Sequence, residues 1–147
     1  MPDTKYGKYF VKEPFIKGQF APKLAMFSRK FGLESNFGIL WNYISAPYEM
    51  PGEPHSHPFD EIWCFLGGDQ TNIKDFGAEV EVFLGEEGEK HIITVTTILE
   101  IPKGLVHMPL IFKRVDRPIL FVNIPLTPEY TKTPKYNTPY KWIHPLD

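Results

Sequence analysis

Apolar and polar positions alternate with a period of two through the middle of this chain, and proline and glycine interrupt the alternation at short intervals. From Phe37 to Ser45, Ile39, Trp41, Tyr43 and Ser45 fall on one face and Leu40, Asn42 and Ile44 on the other, as in a strand. Glu61 to Leu66 predicts a second short strand, closed by Gly67-Gly68-Asp69, and the polar stretch from Gln70 to Gly77 a loop. Ala78 to Leu84 sets Val80, Val82 and Leu84 against Glu79, Glu81 and Phe83. Gly85-Glu-Glu-Gly88 then predicts a hairpin turn into His91 to Thr96. Further strands are expected over Ile98 to Ile101, Met108 to Phe112 and Ile119 to Ile124, with turns at Pro102-Lys-Gly104 and Lys113 to Pro118. Leu24 to Phe31 predicts one or two helical turns ended by Gly32. Many short strands and little helix imply an all-β sandwich or barrel.

The two ends depart from this pattern. Residues 1–22 carry Tyr6, Tyr9, Phe10, Phe15 and Phe20 without a period, an aromatic arm that only packing on the domain or on a second subunit would order. After Ile124, prolines at 125, 128, 134, 139 and 145 predict a mostly extended tail. The barrel core is expected over about residues 37–125, with arms over 1–36 and 126–147.

Composition narrows the class. At 147 residues the chain is expected to be one domain with a real core, and its 15 prolines, 12 Phe, 7 Tyr and 3 Trp argue against a helix bundle. A net charge of -2 supplies no electrostatic reason to expect nucleic acid or an anionic membrane as partner. No apolar run approaches the roughly 20 residues of a membrane helix. The absence of an apolar signal core near the N-terminus and a single cysteine, Cys64, fit a cytoplasmic protein. The apolar arms lead to the expectation of a homodimer, which deletion of residues 1–20 should disturb.

The candidate chemistry lies in Gly52-Glu-Pro-His55-Ser-His57-Pro-Phe-Asp-Glu61. Positions i and i+2 of an extended segment share a face, so His55 and His57 project together, and a carboxylate follows at Glu61. Imidazoles with a carboxylate suit Fe, Mn, Zn or Ni. A further ligand is sought elsewhere, and His107, at the start of a strand after the Pro102-Lys-Gly104 turn, can be aimed back across a barrel mouth. Asp60 is the alternative carboxylate, although alternation turns it away from Glu61's face. His91 and His144 are expected to be structural or solvated, and Cys64 a small core residue rather than a nucleophile. Trp63 and Phe65 share Glu61's face; with Trp41 and Tyr43 they are the candidates to line a substrate pocket, against the plainer reading of core filling.

These motifs resemble those of the cupin superfamily: Gly-x5-His-x-His-x3-Glu-x6-Gly, then Gly-x5-Pro-x-Gly-x2-His-x3-Asn. His55, His57, Glu61 and Gly68 match the first motif, with Glu49 in place of its leading glycine. Pro102, Gly104 and His107 match the second, with Thr96 and Ile111 replacing its glycine and asparagine. The resemblance spans roughly residues 37–125. It implies a double-stranded β-helix, or jelly-roll barrel, holding one divalent ion per chain on His55, His57, Glu61 and His107. The positions that depart are turn and scaffold positions.

Three neutral imidazoles and a carboxylate leave an ion that prefers about six ligands with open positions, whereas a closed structural zinc site favours cysteines. The expectation is therefore a metal-dependent enzyme acting on a small organic molecule, by dioxygenase, decarboxylase, isomerase or lyase chemistry. The alternative is a cupin that binds or senses a small molecule or the metal without turnover. Neither the metal nor an acid or base beside it can be read from the residues.

Overall fold

The alternating segments close into two antiparallel sheets in a computed structural model that describes residues 4–16, 23–130 and the backbone of 133–134. In chain order the strands are β1 (Phe15–Ile16), β2 (Lys23–Phe27), β3 (Gly38–Ile44), β4 (Tyr48–Glu49), β5 (His55–Ser56) and β6 (Glu61–Gly67). They continue with β7 (Ala78–Leu84), β8 (Glu89–Ile93), β9 (Thr97–Ile101), β10 (His107–Val115), β11 (Ile119–Pro125) and β12 (Thr133–Pro134). The first sheet has the order β1-β2-β3-β11-β6-β9 and the second β12-β5-β10-β7-β8, with β4 also paired to β10. Strands distant in sequence lie side by side, as a jelly-roll barrel requires.

The period of two decides which side chains fill the barrel. On β6, Glu61, Trp63 and Phe65 are buried inside while Ile62, Cys64 and Leu66 are half-buried outside. On β11, Ile119 and Phe121 point inward, and Phe121 lies 5.2 Å from the Phe65 ring, 5.4 Å from Trp63 and 5.8 Å from Phe112. Val80, Val82 and Leu110 complete this centre from the second sheet. Each large side chain removed from water here stabilises the fold by about 1.5–3 kcal/mol, so the aromatic content is what lets short strands hold a barrel.

Two expectations about the arms change. Leu24–Phe27 is not helical: β2 pairs residue by residue with β3 from Leu24↔Trp41 to Phe27↔Gly38, and only Ser28–Phe31 turns as a short 3₁₀ helix, ended by Gly32. Ala25 and Phe27 bury inside the barrel while Leu24 and Met26 face out, so sheet pairing with a period-two pattern wins over helix propensity. The N-terminal arm also contributes structure, because Phe15 and Ile16 pair with Leu24 and Lys23. The first sheet thus begins well before residue 37. Residues 17–22 and the side chains of the proposed C-terminal tail from 131 onward, His144 included, lie outside the described residues. Among the described residues no helix is long and apolar enough to cross a membrane.

Candidate metal centre

The barrel mouth is assembled from β5, β6 and the start of β10. His55 on β5 stands opposite His107 on β10, His57 follows one step beyond β5, and Glu61 opens β6. The two motifs are joined through backbone. Gly104 N–H donates to the carbonyl of His57 at 2.9 Å, and Lys103 N–H donates to Asp60 Oδ1 at 2.9 Å. Gly104 has φ +85°, a conformation that costs a residue with a Cβ free energy. Just past His107 the register of β10 against β7 shifts, and such irregularities bend a strand and re-aim its side chains.

The result is a cluster of three imidazoles. The rings of His55, His57 and His107 lie 4.5–4.9 Å apart between centroids, and one nitrogen from each falls within 4.8 Å of the others. These three histidines can hold a metal ion. His55 Nδ1 lies 2.5 Å from the carbonyl of Glu53 and His107 Nδ1 lies 2.9 Å from that of Leu105. A carbonyl accepts only, so each Nδ1 carries the proton and each Nε2 keeps its lone pair for a ligand. Trp63 packs at right angles to the His107 ring at 5.4 Å and Phe59 stacks on His57 at 4.7 Å, which limits ring rotation.

Glu61 sits against this cluster at 1% exposure. Its Oε2 is 3.2 Å from His57 Nε2 and 3.5 Å from His107 Nε2, and it has no hydrogen-bond partner among the described residues. Burial by itself pushes the Glu61 carboxyl up, but the adjacent His57 and His107 imidazoles and the Asn123 amide outweigh it and hold the group below the usual carboxylate range. A buried carboxylate beside imidazole lone pairs is stable only with a positive charge between them, supplied by a proton or a cation. The donor set therefore fits a divalent ion.

The other candidates separate clearly. Asp60 is engaged by the Lys103 backbone, and His91 is exposed with its Nε2 2.6 Å from Glu89. Cys64 is half-buried on the outer face of the first sheet, not in the core, because β6 alternates and Glu61 already takes the inner face. Trp63 and Phe65 are inside the barrel, as expected, Trp63 directly against His107. Trp41 and Tyr43 are not: they share the outer face with Leu24, and Tyr43 is 64% exposed. On β3 it is Leu40, Asn42 and Ile44 that point in. Two groups at the site escape a reading of the sequence. The Tyr130 hydroxyl lies 3.3 Å from His57 Nε2, and its ring packs on His57 and Phe59. Asn123, across from Trp63 on β11, reaches Glu61. Alternation on β11 could have pointed to Asn123; nothing local marks Tyr130, which belongs to a proline-rich segment.

Solved structures share this architecture. An oxalate oxidase aligns over 92% of this chain and 68% of its own with a TM-score of 0.58 at 14% identity. The polyketide cyclase RemF from Streptomyces resistomycificus aligns over 88% of this chain and 79% of its own with a TM-score of 0.53 at 15% identity. A cupin protein from Bacteroides fragilis aligns over 80% and 86% with a TM-score of 0.49 at 18% identity. No family model and no curated protein matches the chain. The chain has the cupin fold, a jelly-roll barrel with a buried three-histidine cluster at its mouth. At these identities the likeness is one of fold, and it does not carry the neighbours' reactions across.

Proposed function

We propose that this protein is a metal-dependent enzyme acting on a small organic molecule, with one divalent ion held by His55, His57 and His107 and by Glu61 as the fourth ligand. The observation that carries this reading is the buried Glu61 Oε2 atom, which lies within 3.5 Å of two imidazole nitrogens and has no hydrogen-bond partner among the described residues. A purely structural barrel would pair or omit such a charge. When bound, a divalent ion supplies a Lewis acid in a site shielded from water. The chain's own residues do the rest. The carbonyls of Glu53 and Leu105 fix two imidazole tautomers, and Asn123 orients Glu61. Trp63 gives the site an apolar wall, while the Tyr130 hydroxyl is a polar group at His57 able to hydrogen-bond an incoming molecule.

The test is elemental analysis of purified protein. About one divalent metal per chain is expected, and protein that cannot be loaded with any divalent ion sinks the proposal. Oxygen consumption across aromatic, thiol and carboxylate compounds then separates dioxygenase chemistry from oxygen-independent lyase, isomerase or decarboxylase turnover. The depth of the four side chains, all at 5% exposure or less, favours one second reading, a barrel that binds a metal or small molecule without converting it. Binding without turnover in the loaded protein would select it.

A further inference from the structure

The chain leaves β11 across the barrel mouth. Leu126 N–H donates to the Asp60 carbonyl at 2.9 Å, and Arg29 N–H donates to the Pro128 carbonyl at 3.4 Å. Beyond Tyr130 the chain joins the second sheet, where β12 pairs Thr133 with Ser56 and Pro134 with His55. The segment is therefore held on both sides of Tyr130. Its ring is fixed as well, by edge contacts with His57, Phe59 and Phe27 at 4.9, 6.0 and 6.0 Å between centroids. A half-buried phenol anchored in this way has a set position in the site, with its hydroxyl 3.3 Å from His57 Nε2.

Two oxygens crowd one nitrogen there. Glu61 Oε2 lies 3.2 Å and the Tyr130 hydroxyl 3.3 Å from His57 Nε2. An imidazole nitrogen carries either one proton or one lone pair, so it serves one of these oxygens well and not both. With a lone pair it accepts from Tyr130 and faces the carboxylate unfavourably; with a proton it donates to Glu61 and leaves the phenol poorly placed. A cation shared by all three atoms satisfies them together. Donors about 2.0–2.2 Å from one ion, with angles of about 90–109° between them, stand about 2.8–3.5 Å apart. Both separations fall in that span, and so does the 3.5 Å from Glu61 Oε2 to His107 Nε2. We infer that Tyr130 is a fifth protein donor at this centre, an inference that rests on the metal reading and extends it by one ligand. Binding as phenolate, with its proton released to solvent, sets two negative charges against a divalent ion, and a buried site favours the neutral sum. Of about six positions around such an ion, one is then left open. The centre therefore takes a molecule through a single atom, such as an alcohol or one carboxylate oxygen, where four protein ligands would admit a chelating pair. The Tyr130 oxygen keeps a lone pair with which to accept a hydrogen bond from that molecule.

The experiment is visible absorption of the full chain loaded with iron(III), with metal content measured on the same sample. A phenolate bound to iron(III) absorbs in the visible by charge transfer from the ring, which imidazole and carboxylate ligands alone do not. The expected result is about one iron per chain and a visible band. Tyr130→Phe, which keeps the ring packed on Phe59 and Phe27, should lose the band while retaining most of the iron. A wild-type chain that holds iron without such a band overturns the inference and leaves the metal reading standing. A band that survives Tyr130→Phe also overturns it, because the phenolate then lies elsewhere. A chain that takes up no metal of any kind overturns both.

Discussion

His107 shows how much one side chain carries at this site. It is 1% exposed, it closes the triangle with His55 and His57, and its Nε2 lies 3.5 Å from Glu61. His107→Ala should therefore drop the metal content from about one per chain to a small fraction, read by elemental analysis after dialysis. Asp60 offers the complementary case. Its carboxylate accepts from the Lys103 backbone N–H and so holds the turn that aims His107. Asp60→Ala should keep the metal yet weaken its affinity by about 10–100-fold, the usual effect of removing a group that orients a ligand. Loss of all metal in that variant would mean Asp60 is itself a ligand. The candidate ligands are legible in the chain because spacing and residue type are local facts. Tyr130 is not, since it reaches His57 from a separate segment 73 residues further along.

At the scale of elements, the loop that follows β6 is tied down by one ion pair. Arg117, after β10, holds Asp75 through two hydrogen bonds, Nε–Oδ2 at 2.7 Å and Nη2–Oδ1 at 2.6 Å. Hydrogen bonding from Arg117 is the main reason the Asp75 carboxyl sits below its ordinary value. A carboxylate lowered in the folded state binds fewer protons folded than unfolded, so its contribution is present above the unfolded value near 4 and fades as pH falls through the folded one. Hydrogen exchange of the 68–77 loop should accordingly rise below about pH 4, and Asp75→Asn should remove that step. An acid response identical in the variant would assign the transition to other groups. The strands β6, β7 and β11 follow from alternation alone, whereas β2 does not. Its Leu24-Ala25-Met26-Phe27 run is apolar at every position, and both periods fit so short a segment.

At the scale of the molecule, β6 belongs to one sheet while β5 and β10 belong to the other, so the proposed ion would tie the two together. An ion present at about 1,000 times its dissociation constant stabilises the folded state by about 4 kcal/mol. Chelation should lower the unfolding midpoint, and readdition of the metal should restore it. A midpoint indifferent to chelator in fully stripped protein would count against a site preformed in the folded state. Phe121, 1% exposed among Trp63, Phe65 and Phe112, is the packing centre of the barrel, and Phe121→Ala should cost about 3–5 kcal/mol in denaturant titration.

Alternation by itself determined an all-β sandwich or barrel and the shared face of Glu61, Trp63 and Phe65 on β6. The His-x-His-x3-Glu spacing gave three of the four candidate ligands, because both patterns are written within a few residues of chain. The jelly roll and the place of His107 came with the resemblance to the cupin motifs. Only the tertiary structure decided that Trp41 and Tyr43 belong to the outer face. Alternation says which residues lie together, and which side of a sheet is inside depends on the strands that pack against it. The same holds for Asn123, set beside Glu61 by the register of β11 against β6, and for Tyr130, brought to His57 from a segment outside the strands. Both placements are settled by how the whole set of side chains fills one core.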